Sequence, residues 1–373
     1  MGPVGRDDQA LLGRPHAGDR HLRPLSEAGA PDVLVVGAGV VGLSAALALR
    51  DRGARILVLD AGPPGGGQST GPGRIFRHIH DLPELVALAA RARRGWHAAE
   101  ERFGRALLDG RGTLMLGGPR EEYAASLAAA GVPSRLVEPD ELPAGLGIRV
   151  QGLLDPGGGT IDAEAYLAAL VAELGAAVRV ATVTAVRMQG DGAVATTADG
   201  QVAAGRVLVC AGAATPALMA PLGVRVPLES SDHRRVAIAP PAGEGLPCLL
   251  ERSGAHGMTG YVTMLADGGL ALGTHAGDDL PEAEAVAVTR GYIQALLPGA
   301  DTTPVGLVRC ESTVLAGHTE ALGLYEAGPV AGFAGGNLFK HAPALGPLVA
   351  EAVLEGRVDP VLSPPRAPVS GAA

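Results

Sequence analysis

The chain has 373 residues, which is enough for two or three ordinary domains with large cores. Lys and Arg number 30 against 39 Asp and Glu, and the net charge of −9 disfavours nucleic acid and acidic membrane surfaces as partners. Three separated cysteines, Cys210, Cys248 and Cys310, exclude a disulfide framework and a cysteine-based zinc site.

Residues 1–31 are rich in Gly and Pro and carry no apolar run, so we expect an extension without regular structure. A secretory signal has an apolar segment after its basic start, and a transit peptide avoids acids. Neither pattern is present in this segment. Together with the separated cysteines, this indicates a cytoplasmic protein.

The uncharged stretch 33–49 allows two interpretations. A membrane span is disfavoured by its short length, its internal glycines and the second apolar segment that follows it. The favoured interpretation is a strand over 32–36, a turn at Gly37, a helix from about 40 to 51 and a strand over 55–60. This order predicts a βαβ unit.

Later segments alternate between loop, helix and strand patterns. A glycine- and proline-rich loop follows Asp60, and a charged helix is expected from about 85 to 103. Short apolar runs broken by turn signals predict a strand meander over 178–209. The tail from residue 359 is expected to be loose. Further helices are expected at 163–174, 281–297 and 345–354.

Gly37, Gly39 and Gly42 form a G-x-G-x-x-G motif. The first glycine permits a tight turn, the second lets a pyrophosphate approach the backbone, and the third lets helix and strand pack closely. The following helix N-terminus adds a positive field for phosphates. Asp60 ends the second strand, where a carboxylate accepts ribose hydroxyl hydrogen bonds and disfavours NADP. A packing turn without ligand is the alternative, but the combination predicts a dinucleotide site.

The glycine loop after Asp60 favours FAD over NAD, because a nicotinamide-binding domain normally continues directly into another helix and strand. At this point the sequence resembles the D-amino-acid oxidase superfamily of flavoproteins, and within it the monomeric sarcosine oxidase branch. The resemblance extends over about 32–359. Its five segments, in order, are VVGAGVVGLSAALAL, the loop into RIFRH, LLDPGGGTIDAEAYLAAL, VLVCAGA and GFAGGNLFKHAPALG.

The resemblance implies an α/β fold with a Rossmann-like FAD-binding domain and a second α+β substrate domain built on an antiparallel sheet. The FAD-binding domain is expected to be discontinuous, formed by 32–107, 158–222 and 315–358. The substrate domain is expected to fill 108–157 and 223–314. The implied reaction is oxidation of the C–N bond of a small amino or imino acid, with a secondary amine favoured, by hydride transfer to FAD. Oxygen is the expected acceptor, giving imine and hydrogen peroxide.

The resemblance also assigns site residues. Arg74 and Arg77, three apart, would lie near one another on a helical turn. Family similarity places Arg74 beside the flavin and puts Arg77 and Lys340 on the substrate carboxylate, and solvated basic side chains are the alternative. His275 and Tyr261 complete the predicted catalytic set, and no metal site is predicted. The predicted FAD-binding residues are Gly37, Gly39, Val41, Gly42, Asp60, Ala61, Ser69, Thr70, Arg74, Val183, Ala211, Gly212, Cys310, Gly335, Gly336, Asn337, Leu338 and Lys340.

Several positions bear on the chemistry within this resemblance. Cys310 lies where the sarcosine oxidase branch attaches its flavin through a thioether, although a lone cysteine is more often an inert buried residue. Ala271 replaces a lysine that promotes the reaction of reduced flavin with oxygen, which leaves a dehydrogenase with another acceptor as an alternative. A flavin-binding subunit without turnover is a third hypothesis.

The surroundings of the pocket also differ from the family pattern. His80 stands where the family usually has an aromatic residue. Thr259 and Gly260, just before Tyr261, leave an aromatic cage for an N-methyl amine incomplete, so sarcosine itself is not favoured as the substrate. His78 and Cys210 are interpreted as structural.

Overall fold

The computed structural model describes residues 29–239, 245–254, 257–265, 267–318 and 320–365, with Cys310 described by its backbone alone. The predicted extension therefore falls outside the described residues up to position 28, as do the last eight residues of the predicted loose tail, 366–373.

The described residues form seven α-helices and 19 β-strands, numbered here in chain order. The helices are α1 (Val40–Asp51), α2 (Pro83–Phe103), α3 (Arg120–Ala129), α4 (Ala163–Leu174), α5 (Thr215–Met219), α6 (Glu282–Leu296) and α7 (Ala342–Glu355). The strands are β1 (Val33–Val36), β2 (Ile56–Asp60), β3 (Arg74–Phe76), β4 (Thr113–Leu116), β5 (Arg135–Val137), β6 (Gly152–Asp155), β7 (Gly159–Ile161), β8 (Val178–Val180), β9 (Ala185–Gln189), β10 (Gly192–Thr197), β11 (Gly200–Ala204), β12 (Arg206–Val209), β13 (Leu228–Ile238), β14 (Cys248–Glu251), β15 (Gly260–Met264), β16 (Leu270–Gly273), β17 (Pro304–Leu315), β18 (Leu322–Ala327) and β19 (Val330–Gly335).

One sheet is built around the predicted βαβ unit. Its strand order is β18-β19-β12-β1-β2-β8, and all neighbours are parallel except the pair β18 and β19. All four residues of β1 are buried, as is typical of a central parallel strand covered on both faces. Helix α1 packs against this sheet and against α7. This sheet confirms the Rossmann-like part of the predicted fold class.

A second sheet has the order β17-β13-β16-β15-β14-β4-β6-β5. Its pairs are antiparallel apart from β14 with β4, which confirms the predicted antiparallel sheet. The strands of this second sheet fall in 108–157 and 223–314, the segments expected for the substrate domain, apart from the last residue of β17. The strands of the first sheet fall in the segments expected for the FAD-binding domain. We keep the two-domain division at these boundaries as a proposal.

Most expected elements are present with small shifts at their ends. The helix α4 has the predicted bounds, whereas α7 begins three residues earlier than expected, at Ala342. The helical turn expected around Arg74 and Arg77 is wrong, because β3 pairs antiparallel with β7 and is extended. The tail is also better packed than expected at its start, since Leu362 is fully buried. Among the described residues, no helix combines the length and apolar character that a membrane crossing requires.

Candidate active site

A cavity of about 760 Å³ is lined by residues from both sheets. This volume lies within the range of about 300–1,000 Å³ that is usual for small-molecule and cofactor pockets. The ends of β1, β2, β12 and β19 border it on one side, and β13, β15 and β17 border it on the other. The two sheets therefore enclose the cavity in which the sequence-predicted residues meet.

The first part of the cavity is formed by the glycine turn between β1 and α1. Gly37 has a φ of +108°, and a Cβ there would lie 2.3 Å from the Cys210 carbonyl oxygen, so only glycine fits. A Cβ on Gly39 would instead meet only the Ser69 hydroxyl, at 3.5 Å. No acidic side chain stands in the first turn of α1. The N-terminus of α1 therefore presents bare backbone and a positive field to the cavity.

Asp60 is fixed at the edge of this turn. Its carboxylate accepts hydrogen bonds from the backbone N–H groups of Ala38, at 2.5 Å, and Gly62, at 2.9 Å. The Ser69 hydroxyl accepts a hydrogen bond from the N–H of Val40, at 3.0 Å. Both side chains line the cavity, so the loop after β2 is folded back onto the start of α1.

Two arginines shape the glycine-rich loop that follows. Arg74 donates hydrogen bonds to the carbonyl oxygens of Gln68, at 3.1 Å, and Thr70, at 2.5 Å, and its guanidinium lies 5.5 Å from the centre of the Phe339 ring. Arg235 on β13 donates to the Thr70 carbonyl oxygen, at 3.1 Å, from the opposite sheet. The loop is thus held by charge-assisted hydrogen bonds from two strands, β3 and β13.

A buried charged cluster lies at another part of the cavity wall. Arg77 forms an ion pair with Glu320, and their side chains are 8% and 12% exposed. His80 Nδ1 lies 2.8 Å from the second carboxylate oxygen of Glu320. Lys340 is 6% exposed, and its ammonium donates a hydrogen bond to the Asn337 carbonyl oxygen, at 3.0 Å. Trp96 donates its indole N–H to the Lys340 carbonyl oxygen, at 2.9 Å, which fixes the backbone there.

The charges in this cluster shift one another. Burial alone would raise the pKa of Glu320, but the positive charge of Arg77 and the hydrogen bond with His80 hold it well below its usual range. Burial and the charge of Arg77 lower the pKa of Lys340 to about 7. Burial and Arg77 also lower the pKa of His80 to about 3, so this imidazole is neutral at physiological pH.

A second polar cluster joins Tyr261, His233, Asp278 and His275. The Tyr261 hydroxyl lies 2.7 Å from Nε2 of His233, and Nδ1 of His233 lies 2.6 Å from the Asp278 carboxylate. His275 approaches the other oxygen of Asp278, at 2.8 Å, but its side chain is 74% exposed. Burial alone would raise the pKa of Asp278, but its hydrogen bonds with the two histidines lower it to about 2. The hydrogen bond with Asp278 raises the pKa of His275 above its usual value.

Comparison with known proteins identifies the family of this chain. Residues 32–352 match the model of the family described as FAD dependent oxidoreductase. The chain belongs to this family.

Individual relatives agree with this assignment. The chain is 30% identical to monomeric sarcosine oxidase from Bacillus sp. (strain B-0618) over 216 residues, which are 53% of this chain and 55% of that relative. The match therefore spans about half the length of the curated relative. It supports the predicted resemblance to the sarcosine oxidase branch.

Two solved structures share the fold. NikD, an amino acid oxidase essential for nikkomycin biosynthesis, superimposes with a TM-score of 0.80 at 24% identity, over 92% of this chain and 99% of that chain. L-proline dehydrogenase from P. horikoshii superimposes with a TM-score of 0.78 at 21% identity, over 88% and 95% of the two chains. At these identities the similarity shows the fold alone.

FAD is the cofactor of this FAD-dependent oxidoreductase, as predicted, and the residues present fit it. The open backbone at Gly39 gives a diphosphate room where a side chain would block it, and the N-terminus of α1 supplies the matching field. Asp60 lies at the carboxyl end of β2, where a ribose is bound in such domains. The cavity continues from this turn to Arg77 and Lys340, which leaves room for the ring system.

The cavity brings together most of the predicted residues. All four predicted catalytic residues line it. Thr70 and Gly336 are absent from its lining, and the side chain of Cys310 lies outside the described part of the structure. The predicted FAD-binding residues that line it are Gly37, Gly39, Val41, Gly42, Asp60, Ala61, Ser69, Arg74, Val183, Ala211, Gly212, Gly335, Asn337, Leu338 and Lys340.

His78 and Cys210, which the sequence analysis interpreted as structural, are both packed against other parts of the protein. His78 is buried, and its Nδ1 lies 3.0 Å from the Asp155 carboxylate. Cys210 lies behind the turn at Gly37, and burial raises the pKa of its thiol to about 12, so it stays protonated and unreactive. Cys210 also contributes to the cavity wall, beside the predicted FAD-binding residues Ala211 and Gly212.

Sequence reasoning missed the partners of the predicted residues. Glu320, His233, Arg235 and Asp278 stand in no local motif. Glu320, His233 and Arg235 are far along the chain from Arg77, Tyr261 and Thr70, which they contact, whereas Asp278 lies three residues from His275. A buried acid beside the predicted carboxylate-binding pair was the least expected of these. A weak signal existed for His233, since HRR interrupts an otherwise strand-like segment.

Proposed function

We propose that this FAD-dependent oxidoreductase oxidises the C–N bond of a small amino or imino acid, with a secondary amine favoured, and releases an imine. The observation that carries the proposal is the convergence of Arg77 and Lys340 on one wall of the cavity, where both are buried. Glu320 compensates one of these two positive charges, so one positive charge remains on this wall when Lys340 is protonated. A buried charge of this kind is costly unless an anionic ligand compensates it, and a substrate carboxylate is such a ligand.

The roles of the side chains follow from this arrangement. Arg77 offers a planar guanidinium and Lys340 a point charge, so together they orient a carboxylate and fix the position of the adjacent carbon. Bound FAD supplies the hydride acceptor. The buried surroundings exclude water and favour the neutral amine, whose lone pair assists departure of the hydride from carbon.

Oxygen is the proposed electron acceptor, with hydrogen peroxide as the second product. The alternative is a dehydrogenase of the same fold that uses another acceptor. One observation favours that alternative: Ala271 on β16 is 2% exposed and offers no charge. Anaerobic reduction of the enzyme followed by a pulse of air separates the two, since slow reoxidation indicates the dehydrogenase.

Covalent attachment of the flavin through Cys310 is part of the proposal. The backbone places residue 310 on β17 in register with His233, which lines the cavity. Acid-precipitated wild-type protein should keep its yellow colour in the pellet, whereas Cys310→Ala should release the flavin to the supernatant. A colourless wild-type pellet would refute the linkage. We also propose a cytoplasmic location, which the separated cysteines support.

A substrate panel tests the proposed reaction. Anaerobic bleaching of the bound flavin is measured with primary and secondary amino acids and with matched amines that lack the carboxylate. Arg77→Gln should lower kcat/KM for the best amino acid by about 10- to 100-fold, the value of one charged hydrogen-bonded contact.

Arg91→Gln removes an exposed arginine paired with Asp359, and it should leave the rate unchanged. Equal rates for Arg77→Gln and wild type would show that Arg77 does not hold the carboxylate. A panel that never bleaches the flavin would instead indicate a flavin-binding subunit without turnover.

A further inference from the structure

A chain of hydrogen bonds runs from the cavity into the protein through three side chains. Tyr261 lines the cavity, its hydroxyl contacts Nε2 of His233, and Nδ1 of His233 contacts Asp278. The side chains of His233 and Asp278 are only 8% and 13% exposed. The proposed amine oxidation assigns no function to His233 or Asp278.

The chemistry of these groups fixes the direction of the hydrogen bonds. An ionised carboxylate only accepts, so Nδ1 of His233 carries a proton and donates it to Asp278. The same imidazole, when neutral, then has its lone pair on Nε2, and the Tyr261 hydroxyl donates to it. A phenol oxygen carries two lone pairs beside its proton, so Tyr261 is also chemically able to accept a hydrogen bond from a donor in the cavity that it lines.

The backbone holds both ends of this chain in place. Tyr261 lies against Gly273 on the neighbouring strand, where an added Cβ would lie 2.5 Å from the tyrosine hydroxyl oxygen. Asp278 is followed by Asp279, which has a φ of +60° and whose carboxylate accepts a hydrogen bond from the N–H of Asp232, at 2.9 Å. A non-glycine residue held in this conformation costs free energy, so the turn that carries Asp278 is kept in shape by its contacts.

We propose that Tyr261, His233 and Asp278 form a proton relay that removes the proton from the substrate ammonium group before C–N oxidation. This inference rests on the proposed function, because it deepens the account of the same cavity. A secondary or primary amino acid is protonated on nitrogen at neutral pH, and a protonated nitrogen has no lone pair to assist loss of a hydride. The enzyme therefore needs an acceptor for that proton within the cavity.

The transfer balances with no further reactant. The substrate ammonium gives one proton to the oxygen of Tyr261, and the hydroxyl proton of Tyr261 passes to Nε2 of His233. The products are a neutral amine, a neutral tyrosine and an imidazolium whose Nδ1–H remains bound to Asp278. Tyr261 is the group that touches the substrate. His233 accepts the proton, and Asp278 acts as a positioning residue that fixes the tautomer and stabilises the imidazolium.

Charged groups from every neighbouring element surround His233, and they set the background for a pH measurement. Asp232 accepts hydrogen bonds from Arg234, at 2.6 Å, and Arg309, at 2.8 Å, which balances part of the local charge. Cys310 lies directly opposite on β17, and its side chain is outside the described part of the structure. The titratable groups near His233 are Tyr261, Asp278 and His275, with Asp232, Arg234 and Arg235 on its own strand and Arg309 and Glu311 on β17.

The test is the pH dependence of flavin reduction in single anaerobic turnovers of the holoenzyme. In wild type, the rate with a secondary amino acid should become independent of pH well below the pKa of the free amine. His233→Asn should lower the rate at pH 7 by about tenfold or more, in line with the loss of an acid–base group, and should approach the wild-type rate at a pH near the amine pKa. Tyr261→Phe should shift the profile in the same direction.

His78→Asn is the matched control. His78 also forms a buried hydrogen bond with a carboxylate, that of Asp155, but it does not line the cavity. Its replacement should lower stability and leave the pH profile in place. A His233→Asn enzyme whose rate falls equally at every pH, or does not fall, refutes the relay.

A second measurement does not depend on turnover. Nitrogen-15 NMR of histidine-labelled protein should show His233 as the tautomer protonated on Nδ1, and Asp278→Asn should change that state. A His233 protonated on Nε2 in wild type refutes the relay even if amine oxidation is confirmed. A wild-type flavin that no amine bleaches refutes the proposed function, and the tautomer still decides whether the hydrogen-bonded chain exists.

Discussion

Glu320 offers the most demanding test of how the carboxylate site works. Its carboxylate binds Arg77 and lies 2.8 Å from Nδ1 of His80, so an incoming substrate carboxylate must share Arg77 with it. Glu320→Gln keeps the size of the side chain and removes its charge. Two opposite consequences follow for stability and for ligand binding.

The expected loss of stability is about 3 kcal/mol. Breaking a buried ion pair by removing one charge costs about 3–5 kcal/mol, and the lower value applies because an amide still hydrogen-bonds to Arg77 and His80. The variant should therefore fold with a lower melting temperature. Thermal denaturation checks this part.

Ligand binding should move the other way. Two carboxylates at about 4 Å repel by about 4 kcal/mol at an effective dielectric constant of 20. Relief of about one third of that repulsion corresponds to a tenfold gain in affinity. We therefore expect acetate and benzoate to bind Glu320→Gln at least about tenfold more tightly. Perturbation of the visible flavin spectrum at pH 6 measures this, since Lys340, whose pKa is about 7, is then mostly charged in wild type.

Glu311→Gln is the control for this experiment. Glu311 also lines the cavity, but among the described residues it forms no hydrogen bond with Arg77. Its replacement should change carboxylate affinity much less. If Glu320→Gln binds acetate and benzoate no more tightly than wild type does, Glu320 does not compete for Arg77, and the proposed carboxylate site is misplaced.

Two further predictions concern Lys340 and Gly39. The pKa of Lys340 falls from 10.5 to about 7 on folding, so between these pH values the unfolded chain binds more protons than the folded chain and the free energy of unfolding rises with pH. In denaturant titrations, Lys340→Met should remove up to about 5 kcal/mol of that rise. A free energy of unfolding that changes with pH equally in the variant and in wild type would contradict this prediction. Gly39→Ala should fold normally, because φ −72° and ψ 174° suit alanine, but the purified protein should contain far less FAD. Gly62→Ala, with no neighbour within 4 Å of its Cβ, should keep its FAD, and equal FAD contents in the two variants would place the diphosphate elsewhere.

The βαβ unit was predictable because it depends on local patterns, whereas the antiparallel sheet was expected only from the family resemblance. Alternation of apolar residues and the spacing of Gly37, Gly39 and Gly42 act over a few residues, and the structure reproduces them. The segment at Arg74 was predicted wrongly, since a three-residue spacing also fits a short strand whose conformation depends on pairing with β7. Such pairing is a long-range contact that local spacing does not encode.

The candidate site was predictable where the family motif names a residue and unpredictable where a partner comes from elsewhere in the chain. Arg77 and Lys340 belong to recognisable segments, and both line the cavity. Glu320 and His233 were missed, because each is defined by what it contacts and not by its neighbours in sequence. Burial, ionic pairing and hydrogen-bond direction, which assign their roles, are properties of the folded chain.

We propose that the cavity above the turn at Gly37 holds FAD, which accepts a hydride from an amino acid bound by Arg77 and Lys340. The most direct measurement is the visible spectrum of the purified protein, recorded before and after anaerobic addition of N-methyl and cyclic secondary amino acids. We expect about one flavin per chain and its complete bleaching by at least one of these compounds, with much slower bleaching by the carboxamide analogues. A protein that carries no flavin and takes up none on reconstitution would contradict it.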